Sequence, residues 1–166
     1  LSWAKGIPAP PYFIEYRVTC KCNLRCRYCD RKTHDKGHPD LNKKETLSLV
    51  DQAHRLGIKQ WDVVAFGEPM YNKELTTTLL EKIKQKDAFG TMTTNGTMFD
   101  EDTIKRIVRS GWNGITISLD SADAKIHDLM RGEKGTFERI AKNLKLFKFY
   151  KQRFEKNSPA LNFQVI

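Results

Sequence analysis

The chain has 166 residues, enough for one hydrophobic core, and carries 29 basic against 20 acidic residues, a net charge of +9. No run of about 18 apolar residues occurs, which excludes a membrane-spanning helix within this sequence. The excess positive charge permits acidic partners such as nucleic acid or nucleotides without requiring them.

Tyr12, Ile14, Tyr16 and Val18 alternate with Phe13, Glu15, Arg17 and Thr19, which predicts a strand running straight into a cysteine-rich segment. After a polar loop, Asn42 and Glu45 form a capping pair. Leu47, Leu49, Val50, Ala53 and Leu56 then make the inner face of a helix that stops at Gly57. Trp61 to Phe66 reads as a second strand, and Leu75, Leu79, Leu80 and Ile83 mark the next helix. A third strand covers Gly90 to Thr94. Asp100 caps a third helix carrying Ile104, Ile107 and Val108, closed by Gly111. Ile115, Ile117 and Leu119 alternate with Thr116, Ser118 and Asp120 in a fourth strand, which puts Ser118 and Asp120 on one face. Thr136 opens a long helix with Ile140, Leu144 and Phe147 at helical spacing. Lys142, Lys145, Lys148, Lys151, Arg153 and Lys156 form its solvated face. Leu161, Phe163 and Val165 alternate in a fifth strand.

Strands separated by helices of this length mean right-handed βαβ units and a parallel sheet, either open and doubly wound or part of a barrel. The glycine fingerprint of a dinucleotide-binding fold is missing after the first strand, where the cysteines sit instead. The chain starts at Leu1 and stops at Ile166 inside the fifth strand. It is therefore expected to be a fragment, or the ordered part, of a longer protein, with residues 1–166 forming one domain cut within its fifth βα unit.

All four cysteines lie between Thr19 and Cys29, and Cys22, Cys26 and Cys29 have C-x3-C-x2-C spacing. Three thiolates at that spacing suit a cubane 4Fe-4S cluster with one iron left open for a small molecule. A disulfide framework would spread its cysteines along the chain in an oxidising compartment. Bunched thiols without a signal segment point instead to the reducing cytoplasm. Structural zinc usually takes two ligand pairs well separated in sequence, and only one cluster of cysteines exists here. His34, His38, His54 and His127 show no ligand spacing and read as structural or solvated.

With Tyr28 before the last cysteine, CNLRCRYC resembles the signature of the radical SAM enzymes. That resemblance implies an α/β fold, a partial TIM-type (β/α)6 barrel with about five parallel strands in this chain and helices outside. It implies a 4Fe-4S cluster on Cys22, Cys26 and Cys29 whose open iron is chelated by S-adenosyl-L-methionine. Cys20, at a variable position of the family pattern, is not expected to bind iron. Gly67-Glu68-Pro69 resembles the family's GGEP motif, in which the backbone and the glutamate receive the methionine ammonium; Phe66 replaces the first glycine. Alone, that tripeptide reads equally well as a turn before a helix. Thr94-Asn95-Gly96 is a turn by composition, and in the family a polar residue at Asn95 lines the cofactor or substrate pocket. Ser118-Leu119-Asp120-Ser121 with His127-Asp128-Leu129-Met130-Arg131-Gly132 resembles the S-L-D-x…H-D-x-x-R-G stretch of a branch that includes SPASM-type enzymes. The match assigns Ser118 to the ribose or carboxylate of the cofactor and Arg131 to its carboxylate. Against this, Asp120 would serve as a helix N-cap and Arg131 as a surface cation. Tyr28 is either core packing or a neighbour of the adenine.

The implied activity is reductive cleavage of S-adenosylmethionine followed by hydrogen abstraction from a substrate, in peptide, protein or cofactor maturation. An electron donor such as ferredoxin or flavodoxin would act as partner, and the substrate would be a peptide, protein or small molecule. Two further classes remain at this level. One is a radical enzyme of RNA modification, for which a basic groove beside the cluster mouth would speak; the other is a non-enzymatic zinc or electron-transfer module.

Overall fold

The computed structural model describes residue 6, residues 11–31, residue 37 and residues 39–165; the readings of His34 and His38 lie outside the described residues. Five parallel strands form one sheet: β1 (Phe13–Arg17), β2 (Gln60–Val64), β3 (Phe89–Thr94), β4 (Gly114–Ser118) and β5 (Ala160–Gln164). The crossovers are α1 (Lys43–Arg55), α2 (Lys73–Gln85), α3 (Glu101–Ser110) and the pair α4 (Ala124–Arg131) and α5 (Thr136–Arg153). A short 3-10 turn, Pro69–Asn72, precedes α2. Strands lie side by side in sequence order. A doubly wound sheet would reverse that order at a switch point, so this sheet is the wall of a partial TIM-type barrel. Among the described residues no helix is long and apolar enough to cross a membrane.

The register divides the sheet into two unlike faces. Trp61, Val63, Met92, Ile115 and Ile117 are buried against Leu79, Leu80, Ile83, Ile104, Ile107, Val108, Ile140 and Phe147 of the helices. The opposite face carries Glu15, Arg17, Asp62, Thr91, Thr93, Thr116 and Ser118, in lateral rows such as Glu15–Asp62–Thr91. Thr91 donates to Asp62 at 2.9 Å across one row. Strands covered on both faces by apolar layers would read as continuous hydrophobic runs. Here the alternation marks an inner face kept polar.

Local chemistry sets the helix limits. Asn42 and Glu45 make the expected capping box of α1, and Asp100 caps α3, which ends at Gly111 in the left-handed conformation. Leu56 departs from expectation. It follows the last helical turn and is exposed, and Thr46 takes the inner position with its hydroxyl 3.0 Å from that of Tyr16. The second strand stops at Val64 rather than Phe66, because the following backbone turns to pair with the cysteine segment. Helix α4 was anticipated only through the alternative of Asp120 as a helix N-cap, and it starts later than that. Its N-cap is Asp123, which accepts from the Lys125 and Ile126 amides, so Asp120 is not a cap.

Gly90 lies against the fully buried Trp112, whose indole N–H donates to the Gly114 carbonyl at 2.9 Å. A methyl at Gly90 would sit 2.1 Å from the ring edge. Gly90→Ala should therefore destabilise the fold by about 1–3 kcal/mol through overpacking. A lowered urea midpoint with unchanged slope would show it; an unchanged midpoint would mean that the ring has room to move.

Candidate active site at the C-terminal ends of the strands

The segment after β1 is bound to the segment after β2 by backbone pairing. The Gly67 amide donates to the Thr19 carbonyl at 3.2 Å and the Glu68 amide to the Lys21 carbonyl at 2.8 Å. A Cβ at Gly67 would lie 2.0 Å from the Lys21 oxygen, so only glycine permits this approach. Thr19 is further held through its hydroxyl, which donates to Asp40 at 2.8 Å. The cysteine loop then folds back toward the strand ends. Leu24 buries its side chain, and the Arg27 amide donates to the Met130 carbonyl of α4 at 2.9 Å.

One cavity of about 420 Å³ collects the chemistry. Cys22, Cys26 and Cys29 line it together with Tyr28, Gly67, Glu68, Asn95, Ser118 and Arg131. Arg17, Leu24, Val64 and Phe66 add to its walls. Cys20, Pro69 and Asp120 are absent from the lining. Pro69 instead opens the 3-10 turn and is buried there. Phe66, standing where a glycine was expected, offers its ring to the Arg17 guanidinium at 4.0 Å and so makes an aromatic wall. Arg17 also pairs with Glu15 at 2.8 Å.

Glu68 is almost completely buried. One carboxylate oxygen accepts from the Met70 amide at 2.9 Å and the Thr94 hydroxyl at 2.5 Å; the other accepts from the Asn95 amide at 2.7 Å. Burial pushes its acidity down, raising the pKa above the usual carboxylate range, while these three donors oppose the shift. A carboxylate offers about four acceptor positions, so one remains open on the oxygen that faces Asn95. Asn95 in turn donates to Asn23 at 3.0 Å and holds Thr97 through its own carbonyl, with 2.9 Å to the amide and 2.7 Å to the hydroxyl. Sequence reasoning singled out Asn95 but missed Thr94, Thr97 and Asn23, which carry the same network.

The Cys22 thiol accepts from the Leu24 amide at 3.4 Å and lies 4.0 Å from the Asn95 side-chain nitrogen. The Cys26 thiol lies 3.8 Å from an Arg131 nitrogen. Burial raises the pKa of both thiols; the Leu24 amide opposes this at Cys22 and the Arg131 charge opposes it at Cys26. Arg131 is no surface cation: its side chain and that of Asp120 are 6% and 2% exposed, and the two pair at 2.6 Å. The Arg131 Nε hydrogen is buried without a partner. Tyr28 donates its hydroxyl to Asp120 at 2.9 and 3.0 Å, and burial together with Asp120 keeps that phenol protonated. His127 is fully buried. Burial lowers its pKa, and its neutral Nδ1 accepts from the Asp120 amide at 3.2 Å.

The donor set fits an iron–sulfur cluster. Three cysteines, none in a disulfide, open into one cavity, and the fourth cysteine lies outside its lining. Burial disfavours the charged thiolates of Cys22 and Cys26, a cost that ligation to a metal would offset.

Comparison with known proteins agrees. The family model described as the radical SAM superfamily matches residues 16–154. An AdoMet-dependent heme synthase of Oleidesulfovibrio alaskensis is 28% identical over 151 residues, covering 87% of this chain and 37% of that protein. A PqqA peptide cyclase of Granulibacter bethesdensis is 26% identical over 140 residues, covering 84% of this chain and 37% of that protein. Among solved structures, Streptococcus suis SuiB bound to S-adenosylmethionine has a TM-score of 0.73 at 18% identity, covering 99% of this chain and 36% of that one. SuiB bound to the precursor peptide SuiA gives the same TM-score at 17% identity, covering 99% of this chain and 35% of that one. The chain thus spans little more than a third of the length of these relatives.

Gly67→Ala should push the Lys21 carbonyl, and the cysteine loop with it, away from the end of β2. After anaerobic reconstitution with iron and sulfide the variant should hold several-fold less iron per chain than the parent, at near-identical circular dichroism. Equal iron content would show that the close approach is dispensable for the loop.

Proposed function

The chain belongs to the radical SAM superfamily, and from that premise we propose that it is the core of an enzyme that cleaves S-adenosylmethionine reductively and abstracts hydrogen from its substrate. The observation that carries this reading is the opening of Cys22, Cys26, Cys29 and Glu68 into one cavity at the C-terminal ends of parallel strands. Cys22, Cys26 and Cys29 would hold a 4Fe-4S cluster. When bound there, the cluster would supply the electron for reductive cleavage of S-adenosylmethionine.

The chain's own residues bind and orient. The unused acceptor position of Glu68 suits an ammonium group, and the near-dry site strengthens that charge-assisted bond. Ser118 supplies a hydroxyl on the inner face for the ribose or carboxylate of the cofactor, and Arg131 supplies a cation beside it. Two of the five N–H groups of Arg131 are engaged, by Asp120 and Cys26, which leaves donors for a carboxylate. Asn95 steadies the turn that presents its amide to Glu68. Tyr28 closes one side near the cluster, and Asp120 holds Tyr28 and Arg131 from behind. Leu24, Val64 and Phe66 supply apolar wall to the cavity.

A peptide substrate is supported by the names of two relatives, a PqqA peptide cyclase and a SuiB bound to its precursor peptide. Cofactor maturation is the second reading, favoured by the similarity to a heme synthase. RNA modification is not favoured by these relatives, which are named for peptide and heme chemistry. Lys148, Lys151 and Lys156 line a separate cavity beside Leu161, at the end of the sheet away from the cysteines. The electron donor would be a ferredoxin or flavodoxin, and the compartment the reducing cytoplasm, where these thiols persist.

In the full-length reconstituted protein, Cys20→Ser should retain full iron content and release of 5′-deoxyadenosine. Serine at Cys22, Cys26 or Cys29 should lose at least about tenfold of both. Metal analysis and chromatography decide it. Zinc in place of iron and sulfide would support the non-enzymatic alternative, and loss confined to the Cys20 variant would mean a different ligand set.

A further inference from the structure

The thiols expected to hold the cluster do not have equal surroundings. Cys22 accepts from the Leu24 amide and lies 4.0 Å from the Asn95 side-chain nitrogen, both neutral groups, with Arg31 acting on it without a hydrogen bond among the described residues. Cys26 meets a guanidinium, with 3.8 Å between an Arg131 nitrogen and its sulfur. That guanidinium is fixed in a closed ring of contacts. Arg131 pairs with Asp120 at 2.6 Å, and Asp120 accepts from the Tyr28 hydroxyl at 2.9 and 3.0 Å. Tyr28 follows Cys26 by two positions in the chain, and its ring centroid lies 5.7 Å from the Arg131 carbon. Two further bonds lock the ring. The Asp120 amide donates to His127 at 3.2 Å, and Arg27, between Cys26 and Tyr28, donates to Met130 at 2.9 Å. Loop and helix α4 therefore move together, and the guanidinium stays beside the sulfur.

We propose that Arg131, positioned by Asp120 and Tyr28, sets the reduction potential of the cluster through the Cys26 sulfur. The proposal rests on the cluster reading above and is separate from any contact of Arg131 with the cofactor carboxylate. Reduction adds one negative charge to the iron, sulfide and thiolate assembly. A cation at a ligand sulfur stabilises that added charge, and hydrogen bonds to ligand sulfurs are among the factors that set such potentials. Asp120, on the far side of the guanidinium, cancels part of the field. The two residues thus act with opposite sign at one sulfur. An ordinary structural salt bridge predicts no such pair of effects, since losing either partner would merely loosen the loop.

The test is a redox titration of the full-length reconstituted protein, followed by its visible absorbance without S-adenosylmethionine, so that the carboxylate plays no part. Arg131→Met should make the cluster harder to reduce by at least tenfold in the reduction equilibrium, about 59 mV negative for one electron. Asp120→Asn should make it easier to reduce, with a positive shift of smaller size. Arg131→Lys, which keeps the charge but not the planar fork, should fall between Arg131→Met and the parent. Unchanged potential in Arg131→Met, or shifts of the same sign in the Met and Asn variants, would overturn the proposal. If Arg131→Met takes up too little iron to titrate, Asp120→Asn decides alone: a positive shift supports the proposal, and no shift or a negative one overturns it. A parent protein with no iron–sulfur absorbance would overturn the cluster reading itself, and this proposal with it.

Discussion

The mouth of this barrel depends on one buried carboxylate. Glu68 leaves the end of β2, opens the 3-10 turn through the Met70 amide and takes the Thr94 hydroxyl and the Asn95 amide from the end of β3. Its own amide donates to Lys21, in the cysteine loop after β1. Three successive strand ends are thus tied at one residue. Burying an uncompensated carboxylate costs several kcal/mol, and hydrogen bonds to a charged group are each worth roughly 1.5–3 kcal/mol. Three of them offset the cost only if all keep their places. Three donors leave one of its roughly four acceptor positions unused, on a residue that lines the cavity.

The same logic separates the two faces of the sheet. Apolar side chains on the helix side form the core, and threonines, Asp62, Glu15 and Arg17 on the other side make an inner wall that bonds within itself. Polar residues on that wall need partners more than volume, and several of them line the cavity that the cysteines share. The cysteine loop sits at its upper rim, attached on one flank through Gly67 and Glu68 and on the other through α4. Arg131 therefore joins the two parts of the site, pairing with Asp120 and bringing charge to the Cys26 sulfur.

Much of this was legible in the residues. Alternation marked the first, fourth and fifth strands, short spans marked the second and third, the Asn42–Glu45 pair and Asp100 marked two helix starts, and the cysteine spacing marked the end of β1 as the centre of interest. Helix α4 was not legible because its inward residues are His127 and Arg131, while its apolar Ile126 and Leu129 are exposed. Hydrophobic periodicity assumes the reverse. Asp120 was placed on one strand face with Ser118, Arg131 was noticed as a member of a motif, and their roles were open between surface, cap and cofactor. Their pairing with each other, and the contact from Arg131 to Cys26 across 105 residues, follow from tertiary packing that no local spacing encodes. Phe66 was visible as a departure from the glycine expected there, but its stacking on Arg17 required the fold.

The central claim is that three thiolates of this chain hold a cluster with one iron free for the cofactor. Mössbauer spectroscopy of the full-length protein reconstituted with iron-57, with and without S-adenosylmethionine, tests it most directly. The account predicts that one iron in four changes its isomer shift when the cofactor is added while the other three do not. Four equivalent irons unaffected by the cofactor would contradict it.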